Sequence, residues 1–307
     1  MAGKIAITPR SLSSAGHPAL SELTERGYEI VYPAPGRTPT EDDLLRTVPG
    51  CVGWLAGVEP ISHRVLAAAG GLRVISRNGT GVDNIDLAVA EAHGIRVERA
   101  NGANARGVAE LTIALLLAAF RHVPWSDGQL RRGDWQRRIG IEAQGRTLAV
   151  IGCGAIGREV IGLALGLGMQ VVGYDPCPPN SLARPGFRLA PLDEALAAAD
   201  AITFHCPPGP RPILDAPAIA RLRRGVVVVN TARAELIDDM AMLEALDSGQ
   251  VAGLATDVFH REPPEPSPLL AHDRVILTPH AGGFTEESVE RATRVAVENI
   301  LKVLDAR

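Results

Sequence analysis

The chain has 307 residues, of which 46% are hydrophobic and 21% charged, and its formal net charge is −4. The length suggests about two domains of a soluble globular protein, and the acidic balance argues against a nucleic-acid-binding surface. The longest apolar run, Leu111–Phe120, is too short to cross a membrane. The four cysteines have no spacing typical of zinc or redox motifs, so no metal is predicted and a reducing cytoplasm is the expected location.

Short β-branched runs alternate along the chain with longer Ala- and Leu-rich runs, which is typical of parallel βαβ units. The predicted strands are Ile5–Thr8, Glu29–Tyr32, Val52–Leu55, Val74–Ser76, Arg96–Val97, Leu148–Ile151, Val171–Tyr174, Ala201–Phe204, Val226–Asn230, Gly253–Ala255 and Val275–Leu277. The predicted helices are His63–Ala69, Leu87–His93, Val108–Arg121, Ile156–Leu167, Leu192–Ala198, Ala216–Arg223, Ala241–Ser248 and Glu286–Leu304. The pattern therefore predicts an α/β protein, in which the last helix could belong to either domain.

A glycine motif lies near the middle of the chain, directly between a predicted strand and a predicted helix. Gly152, Gly154 and Gly157 fit G-x-G-x-x-G, in which the glycines permit a tight turn, a close phosphate and close helix packing. Such a turn also occurs without a ligand. Asp175, however, ends the next strand where a carboxylate would bind ribose hydroxyls and repel a 2′-phosphate. The whole pattern predicts NAD as the cofactor.

Ionisable residues follow several predicted strands of the same region. Arg233, Asp257 and Glu262 come after two of these strands, and His205 and His280 come after two others. Reduction of a 2-oxo acid needs a cation for the carboxylate and a proton donor for the carbonyl oxygen, roles that suit arginine and histidine. The residues alone leave His205 and His280 as competing candidates for the acid.

Five sequence blocks carry a resemblance to a known family. In chain order they are VISRNGTGVDNID (Val74–Asp86), GANARGVAEL (Gly102–Leu111), VVNTARAELID (Val228–Asp238), TDVFHREPP (Thr256–Pro264) and LTPHAGG (Leu277–Gly283). The chain strongly resembles the D-isomer-specific 2-hydroxyacid dehydrogenases, especially the phosphoglycerate-dehydrogenase-like branch.

The resemblance implies a role for each matching residue. Arg233 would bind the substrate carboxylate and oxo group, His280 would be the acid/base, and Glu262 would be its carboxylate partner. The backbone of Gly79, Thr80 and Gly81 would meet the substrate. Further contacts with the cofactor would come from Thr80, Ala155, Ile156, His205, Pro207, Thr231, Asp257, His280 and Gly282.

The resemblance also implies a domain arrangement of two doubly wound parallel-sheet domains. A Rossmann NAD-binding domain, residues 101–283, would be inserted in a flavodoxin-like substrate domain made of residues 1–100 and 284–307. The helix through Val108–Phe120 resembles the element that forms the family's homodimer, although a helix buried within one subunit would look the same.

The chain departs from the family pattern in three places. Ala234 replaces a glycine after the catalytic arginine, and the loop His205–Leu214 lacks the usual threonines. Leu55-Ala56-Gly57 stands where members acting on 3-phosphoglycerate commonly read VRS, so Ala56 cannot pair with a phosphate, and Arg77 or Arg106 would be the alternative phosphate ligand.

The predicted function is thus an NAD-dependent D-2-hydroxyacid dehydrogenase acting on a small anionic 2-oxo or 2-hydroxy acid. The side chain of that acid and the physiological direction are not predicted. The alternatives are 3-phosphoglycerate dehydrogenase of serine biosynthesis, a glyoxylate/hydroxypyruvate reductase and, outside the enzymes, an NAD(H)-sensing interaction protein.

Overall fold

The computed structural model describes residues 2–178 and 184–306. The strands are β1 (Gly3–Ile7), β2 (Tyr28–Val31), β3 (Cys51–Ala56), β4 (Val74–Arg77), β5 (Arg96–Arg99), β6 (Thr147–Ile151), β7 (Gln170–Tyr174), β8 (Phe187–Leu189), β9 (Ala201–Phe204), β10 (Val226–Asn230), β11 (Val251–Thr256) and β12 (Val275–Leu277). The α-helices are α1 (Arg10–Ala15), α2 (Ser21–Glu25), α3 (Glu41–Thr47), α4 (His63–Ala68), α5 (Leu87–Ala92), α6 (Ala105–Arg121), α7 (Val123–Arg131), α8 (Ala155–Gly166), α9 (Leu192–Ala198), α10 (Ala216–Ala220), α11 (Asp239–Ser248) and α12 (Glu286–Asp305). Two short 3-10 helices lie at Pro18–Leu20 and Ala234–Leu236.

The chain divides into two compact units. Unit one contains Met1–Asn104 and Phe284–Arg307, and unit two contains Ala105–Gly283. Unit one is built on a five-stranded parallel sheet in the order β2-β1-β3-β4-β5, the flavodoxin-like order. Unit two is built on a seven-stranded parallel sheet in the order β12-β11-β10-β9-β6-β7-β8, which is the Rossmann order extended by one strand. The predicted fold class is confirmed.

The sequence explains why unit one folds in this way. One face of its sheet packs against α12, whose Val297 and Ile300 are fully buried beside Ile5 and Leu55. Thr40, Ser62 and Asp86 cap the starts of α3, α4 and α5 by accepting hydrogen bonds from backbone N–H groups. The last helix, which periodicity alone could not assign, therefore contributes its apolar face to the core of unit one.

The central strands of unit two are buried on both faces and consist of β-branched and other apolar residues. For example, all five residues of β10, VVVVN, are buried, as expected for a parallel strand covered by helices on both sides. Helices α6 and α8 cover one face, and α9, α10 and α11 cover the other. Because helices cover both faces of this sheet, polar residues lie at the carboxyl ends of its strands, as Asn230 does in β10.

The structure contains several short elements that the sequence pattern did not predict. These elements are α1, α2, α3, α7 and β8. Each is short, and β8 is a three-residue edge strand whose residues are only partly buried or exposed, so that it shows no regular alternation. Tertiary contacts stabilise such elements where local pattern is weak.

Within the described part of the chain, no single helix combines the length and apolarity that would let it span a membrane. Helices α6 and α7 meet those criteria only as a pair, and they are bent by 62° relative to each other.

Candidate functional site

The glycine motif forms a tight turn between β6 and α8. Gly152 has φ of +98°, and a Cβ there would lie 2.5 Å from the carbonyl oxygen of His205. At Gly157 a Cβ would lie 2.0 Å from the carbonyl oxygen of Gly152. Neither position can carry a side chain, so the turn and the close helix packing predicted from the sequence are both present. Burial raises the pKa of the intervening Cys153 thiol to about 11, so this thiol is protonated at neutral pH.

The residues at the start of α8 fit a bound dinucleotide. A Cβ at Gly154 would meet nothing within 4 Å, so the backbone here faces open space. No side chain caps the N-terminus of α8, where Ala155 is exposed and Ile156 half-buried. Free N–H groups and the positive end of the helix dipole make this terminus suited to a pyrophosphate.

Asp175 lies immediately after β7 and is bonded to the glycine turn. Its Oδ2 accepts a hydrogen bond from the backbone N–H of Cys153 at 2.8 Å, and its Oδ1 accepts one from Cys177 at 2.8 Å. The carboxylate is half-buried and remains open on one side. The structure therefore gives Asp175 a role in holding the turn in addition to the ribose contact predicted for it.

His205 follows β9 and is partly buried. Its Nε2 lies 3.1 Å from Thr203 Oγ1, while its Nδ1 is buried without a hydrogen-bond partner in the structure. Burial lowers the pKa of His205 to about 3, so its ring is neutral at physiological pH. A neutral ring is a poor proton donor, which favours His280 as the acid. A buried nitrogen without a protein partner also fits a residue of a cofactor-binding loop. Pro207, two residues on, is exposed.

Asp257 organises the loop that carries His280. This carboxylate is 1% exposed and follows β11. Its Oδ1 accepts hydrogen bonds from Thr278 Oγ1 at 2.6 Å and the Ala281 N–H at 2.7 Å, and its Oδ2 accepts one from the Gly282 N–H at 2.8 Å. Three donors thus satisfy the buried charge. The backbone of the loop on both sides of His280 is fixed by one side chain.

His280 and Glu262 form a hydrogen-bonded pair at the surface of unit two. The imidazole Nδ1 lies 2.8 Å from Glu262 Oε1 and 2.9 Å from Oε2, and the two side chains are 50% and 41% exposed. The N–H of Phe259 also donates to Glu262 Oε1 at 3.3 Å. His280 has φ of +51°, a left-handed conformation that is uncommon outside glycine and is frequent at functional sites.

Arg233 follows β10 in an extended backbone conformation. The buried Asn230 holds its surroundings, because Nδ2 donates to the Arg233 carbonyl at 2.8 Å and Oδ1 accepts from the Ala232 N–H at 3.1 Å. Thr231 is fixed in turn by a 2.9 Å hydrogen bond to Thr112 Oγ1 in α6. Arg233, Asp257 and His280 consequently follow three adjacent strands of the sheet.

The predicted substrate loop lies in unit one, directly after β4. Gly79, Thr80 and Gly81 are half-buried. The Gly79 carbonyl accepts a 3.0 Å hydrogen bond from Ala100 N–H, and Thr80 Oγ1 donates to Asn104 Oδ1 at 3.2 Å. Gly79 and Thr80 are therefore held in place by the segment that follows β5.

Three supporting residues were missed by sequence reasoning. Asn230, Thr112 and Thr278 act only through other residues, so nothing in a motif marks them. The signal available for Asn230 was a polar residue ending an otherwise apolar buried strand, VVVVN. Among the described residues, no group of three or more His, Cys, Asp or Glu side chains is arranged to hold a metal ion.

The fold defines a dinucleotide-binding α/β protein, in which the His280–Glu262 pair lies at the carboxyl edge of the same sheet as the glycine turn. Residues 113–282 match the model of the D-isomer specific 2-hydroxyacid dehydrogenase, NAD binding domain. The chain belongs to the D-isomer specific 2-hydroxyacid dehydrogenase family, and its cofactor is NAD.

Individual relatives agree with the family match. The chain is 44% identical over 250 residues to a D-3-phosphoglycerate dehydrogenase of Methanocaldococcus jannaschii, covering 80% of this chain and 48% of that protein. The chain spans about half the length of the curated relatives it matches. Its structure resembles the TT0316 protein of Thermus thermophilus (TM-score 0.89, 35% identity, covering 99% and 97% of the two chains). It also resembles a glyoxylate reductase from Paecilomyes thermophila (TM-score 0.87, 25% identity, 99% and 95%).

Proposed function

We propose that the chain is an NAD-dependent D-2-hydroxyacid dehydrogenase that works as a 2-oxo acid reductase. The observation that carries this proposal is the His280–Glu262 pair, with Nδ1 2.8 and 2.9 Å from the two carboxylate oxygens. Reduction of a carbonyl adds a proton to oxygen while carbon receives a hydride, so it needs a general acid of this kind. When bound, reduced NAD supplies the hydride.

His280 delivers the proton in this proposal. Its Nδ1–H is donated to Glu262, which leaves Nε2 as the atom that protonates the carbonyl oxygen. The Glu262 carboxylate orients the ring and compensates its positive charge until the proton leaves. In the oxidative direction the same Nε2 accepts the hydroxyl proton, so the pair serves both directions.

Arg233 anchors the substrate. A guanidinium binds a planar carboxylate through two parallel hydrogen bonds, and its positive charge polarises the neighbouring oxo group. Asn230 holds the Ala232 N–H and the Arg233 carbonyl, so that the backbone at Arg233 is set before the substrate arrives. In unit one, the backbone N–H groups of Gly79, Thr80 and Gly81 are the proposed donors to the substrate.

The proposed contacts with the cofactor come from the glycine turn and from the loops that follow the strands. The turn at Gly152, Gly154 and Gly157 holds the pyrophosphate, and Asp175 accepts from the ribose hydroxyls. The remaining contacts are assigned to Thr80, Ala155, Ile156, His205, Pro207, Thr231, Asp257, His280 and Gly282. Asp257 acts by holding the backbone around His280, and Gly282 belongs to the same loop.

A second candidate is 3-phosphoglycerate dehydrogenase. The similarity to the Methanocaldococcus jannaschii enzyme of that name favours it. Ala56, the last residue of β3, argues against this candidate, because it is fully buried and has no charge that could bind a phosphate.

A substrate panel tests the proposal. Oxidation of NADH would be followed with glyoxylate, pyruvate, hydroxypyruvate, 3-phosphohydroxypyruvate and branched 2-oxo acids, with NADPH in parallel. The proposal expects turnover of at least one 2-oxo acid, faster with NADH than with NADPH. Tight NADH binding without turnover of any acid would contradict it and support a sensing role.

We also propose that the chain forms a homodimer. Helix α6, the predicted dimer element, has Leu115, Leu116 and Phe120 buried in the core of unit two, so it offers little free apolar surface. The following segment does offer such a surface, since Trp135 is 83% and Ile139 98% exposed. A mass measurement by light scattering, on wild type and Trp135→Glu, is expected to show a dimer that the substitution weakens. A monomeric wild type would contradict the proposal.

A cytoplasmic location completes the proposed function. All four cysteines are unpaired in the structure, as expected in a reducing compartment. Fractionation of the producing cells would test it, and recovery of the chain with the secreted proteins would contradict it.

A further inference from the structure

The loop after β3, Gly57–Pro60, is fixed by a buried acid. Glu59 is 1% exposed. Its Oε1 accepts hydrogen bonds from Thr8 Oγ1 and, at 3.0 Å, from the Gly57 N–H. Thr8 in turn accepts from the indole Nε1 of the buried Trp54 at 3.0 Å. The carboxyl is therefore tied to the centre of the five-stranded sheet and to its own loop.

The same acid explains the glycine that precedes it. A Cβ at Gly57 would lie 2.7 Å from Glu59 Oε2 and 3.1 Å from Pro9 Cα. The Glu59 carboxyl thus occupies the space that a side chain at Gly57 would fill. Together with the buried Ala56, this arrangement leaves no polar side chain pointing outward from the end of β3.

Asn84 joins this loop to the one that carries Thr80. Its Nδ2 donates to the Glu59 carbonyl at 2.6 Å, and its own carbonyl accepts from the Ile61 N–H at 2.8 Å. The loops after β3 and β4 therefore form one bonded edge. In open parallel sheets ligands bind outside the carboxyl ends of the strands, and this edge is where the proposed substrate donors lie.

One side chain of the locked loop points into solvent. Val58 is 70% exposed, although its neighbours Gly57 and Glu59 are bonded inward. Arg77 donates to the carbonyls of Ala56 and Asn78 at 3.5 and 3.4 Å, and its charge also acts on Glu59. Its Nη1 lies 3.5 Å from the position that a Cβ would take at Gly79, so this guanidinium belongs to the loop after β4 and not to the loop that carries Val58. The side chain that the loop after β3 presents to solvent is therefore apolar.

We propose that Glu59 is a positioning residue which holds Val58 at the substrate edge, and that Val58 selects 2-oxo acids with an uncharged aliphatic side chain over phosphorylated ones. The inference rests on the proposed function and names the substrate class of that same site. The physical reason is that an aliphatic group gains by covering Val58, whereas a phosphate placed against Val58 would lose water without gaining a charge contact from that side chain.

The test measures kcat and KM for 2-oxobutyrate, 2-oxoisovalerate and 3-phosphohydroxypyruvate. Wild type is expected to favour the better aliphatic acid over the phosphorylated one by about 100-fold in kcat/KM, the range that pocket contacts of this kind achieve. Val58→Arg should shift that ratio toward the phosphorylated acid by about tenfold or more, through one new charge contact. Met240→Arg, on a residue of unit two that is 67% exposed, controls for the added charge and should leave the ratio unchanged.

Two variants at Glu59 separate positioning from a merely structural role. Glu59→Gln retains an oxygen that can accept from Thr8 and Gly57, so the ratio and KM should stay near wild type. Glu59→Ala releases the loop and should raise KM for the aliphatic acids by about tenfold, with kcat changed much less because His280 and Arg233 are untouched. If Glu59→Ala does not fold, the kcat/KM ratio measured for the exposed Val58→Arg substitution decides the proposal.

The outcomes distinguish two failures. If wild type reduces 2-oxo acids but prefers 3-phosphohydroxypyruvate, or if Val58→Arg leaves the ratio unchanged, this inference is overturned and the proposed function stands. If wild type reduces none of a wide panel of 2-oxo acids, the proposed function is overturned, and this inference with it.

Discussion

At the carboxyl edge of the seven-stranded sheet, buried polar side chains hold ionisable groups at the surface. Asp257 and Asn230 are each 1% exposed, and they fix the loops that present His280 and Arg233. At the edge of the five-stranded sheet, the buried Glu59 fixes a loop that presents the apolar Val58 instead. At both edges a buried polar residue positions the loop. The edge of unit two thereby presents residues proposed to react, and the edge of unit one presents a residue proposed to select the substrate.

Replacing His280, the proposed acid, is expected to have the largest effect. His280→Ala should lower kcat by about 10²–10⁴-fold, the usual contribution of a general acid, and leave NADH affinity nearly unchanged. Steady-state kinetics and NADH fluorescence titration measure the two quantities. His260→Ala is the matched control, because His260 is similarly exposed and pairs with Asp239 at 3.6 Å. Turnover near that of wild type would remove His280 from the proposed role.

The second largest effect is expected at Asp257, the buried carboxylate that holds the loop around His280. Asp257→Asn places an amide nitrogen against N–H or O–H donors, at a cost of about 1–3 kcal/mol, and loosens the loop around His280. We expect a lower midpoint of thermal unfolding and a kcat reduced by about 10²-fold, the scale of a small misplacement at a catalytic centre. Asp239→Asn, on a half-exposed carboxylate, should change neither. An unaltered midpoint and kcat in Asp257→Asn would contradict the support role.

At the cofactor turn, replacing Asp175 is expected to change the dissociation constants of NADH and NADPH unequally. Asp175→Ala should weaken NADH by about tenfold, or about 1.4 kcal/mol, and weaken NADPH less, because loss of the carboxylate removes its repulsion of a 2′-phosphate. The bonds from Cys153 and Cys177 are lost for both cofactors, so the ratio of dissociation constants is the informative quantity. Asp193→Ala, at an 80% exposed side chain, is the control. Equal weakening of both cofactors would argue against a ribose contact.

The smallest effect concerns the second histidine of unit two. Burial lowers the pKa of His205 to about 3 from the 6.5 of an exposed ring, so between these values the unfolded chain binds a proton that the folded chain does not. This group therefore makes stability fall as pH falls below about 6.5, by at most about 1.4 kcal/mol per pH unit. His205→Gln should show a shallower loss of stability than wild type in urea unfolding from pH 6.5 to 5. Parallel curves would show that His205 is protonated in the folded chain.

Parts of the molecule governed by local pattern could be predicted from the sequence. The glycine turn was predictable because Gly152 and Gly157 are required sterically within a few residues of each other. The choice between His205 and His280 was not, because burial depends on packing around β9 that no local pattern records. The resemblance to a family supplied that choice.

Contacts between distant segments could not be predicted. Glu59 looks like a solvated loop acid in the sequence, and its burial depends on Thr8, which lies 51 residues away. Thr112 and Thr231 meet across 119 residues, and each looks like an ordinary helix or strand-end threonine. The exposed segment around Trp135 was likewise unpredicted, because exposure of an apolar residue is a property of the folded surface.

Transfer of hydride from NADH to C2 of a 2-oxo acid can be followed with an isotope label. The wild-type protein would be incubated with NADH deuterated at nicotinamide C4 and with the 2-oxo acid that it turns over fastest, and the product analysed by mass spectrometry. The account predicts a D-2-hydroxy acid that carries deuterium at C2 when the label is on the transferred face of the nicotinamide. A hydroxy acid without label from either face, or consumption of NADH without a hydroxy acid, would contradict it.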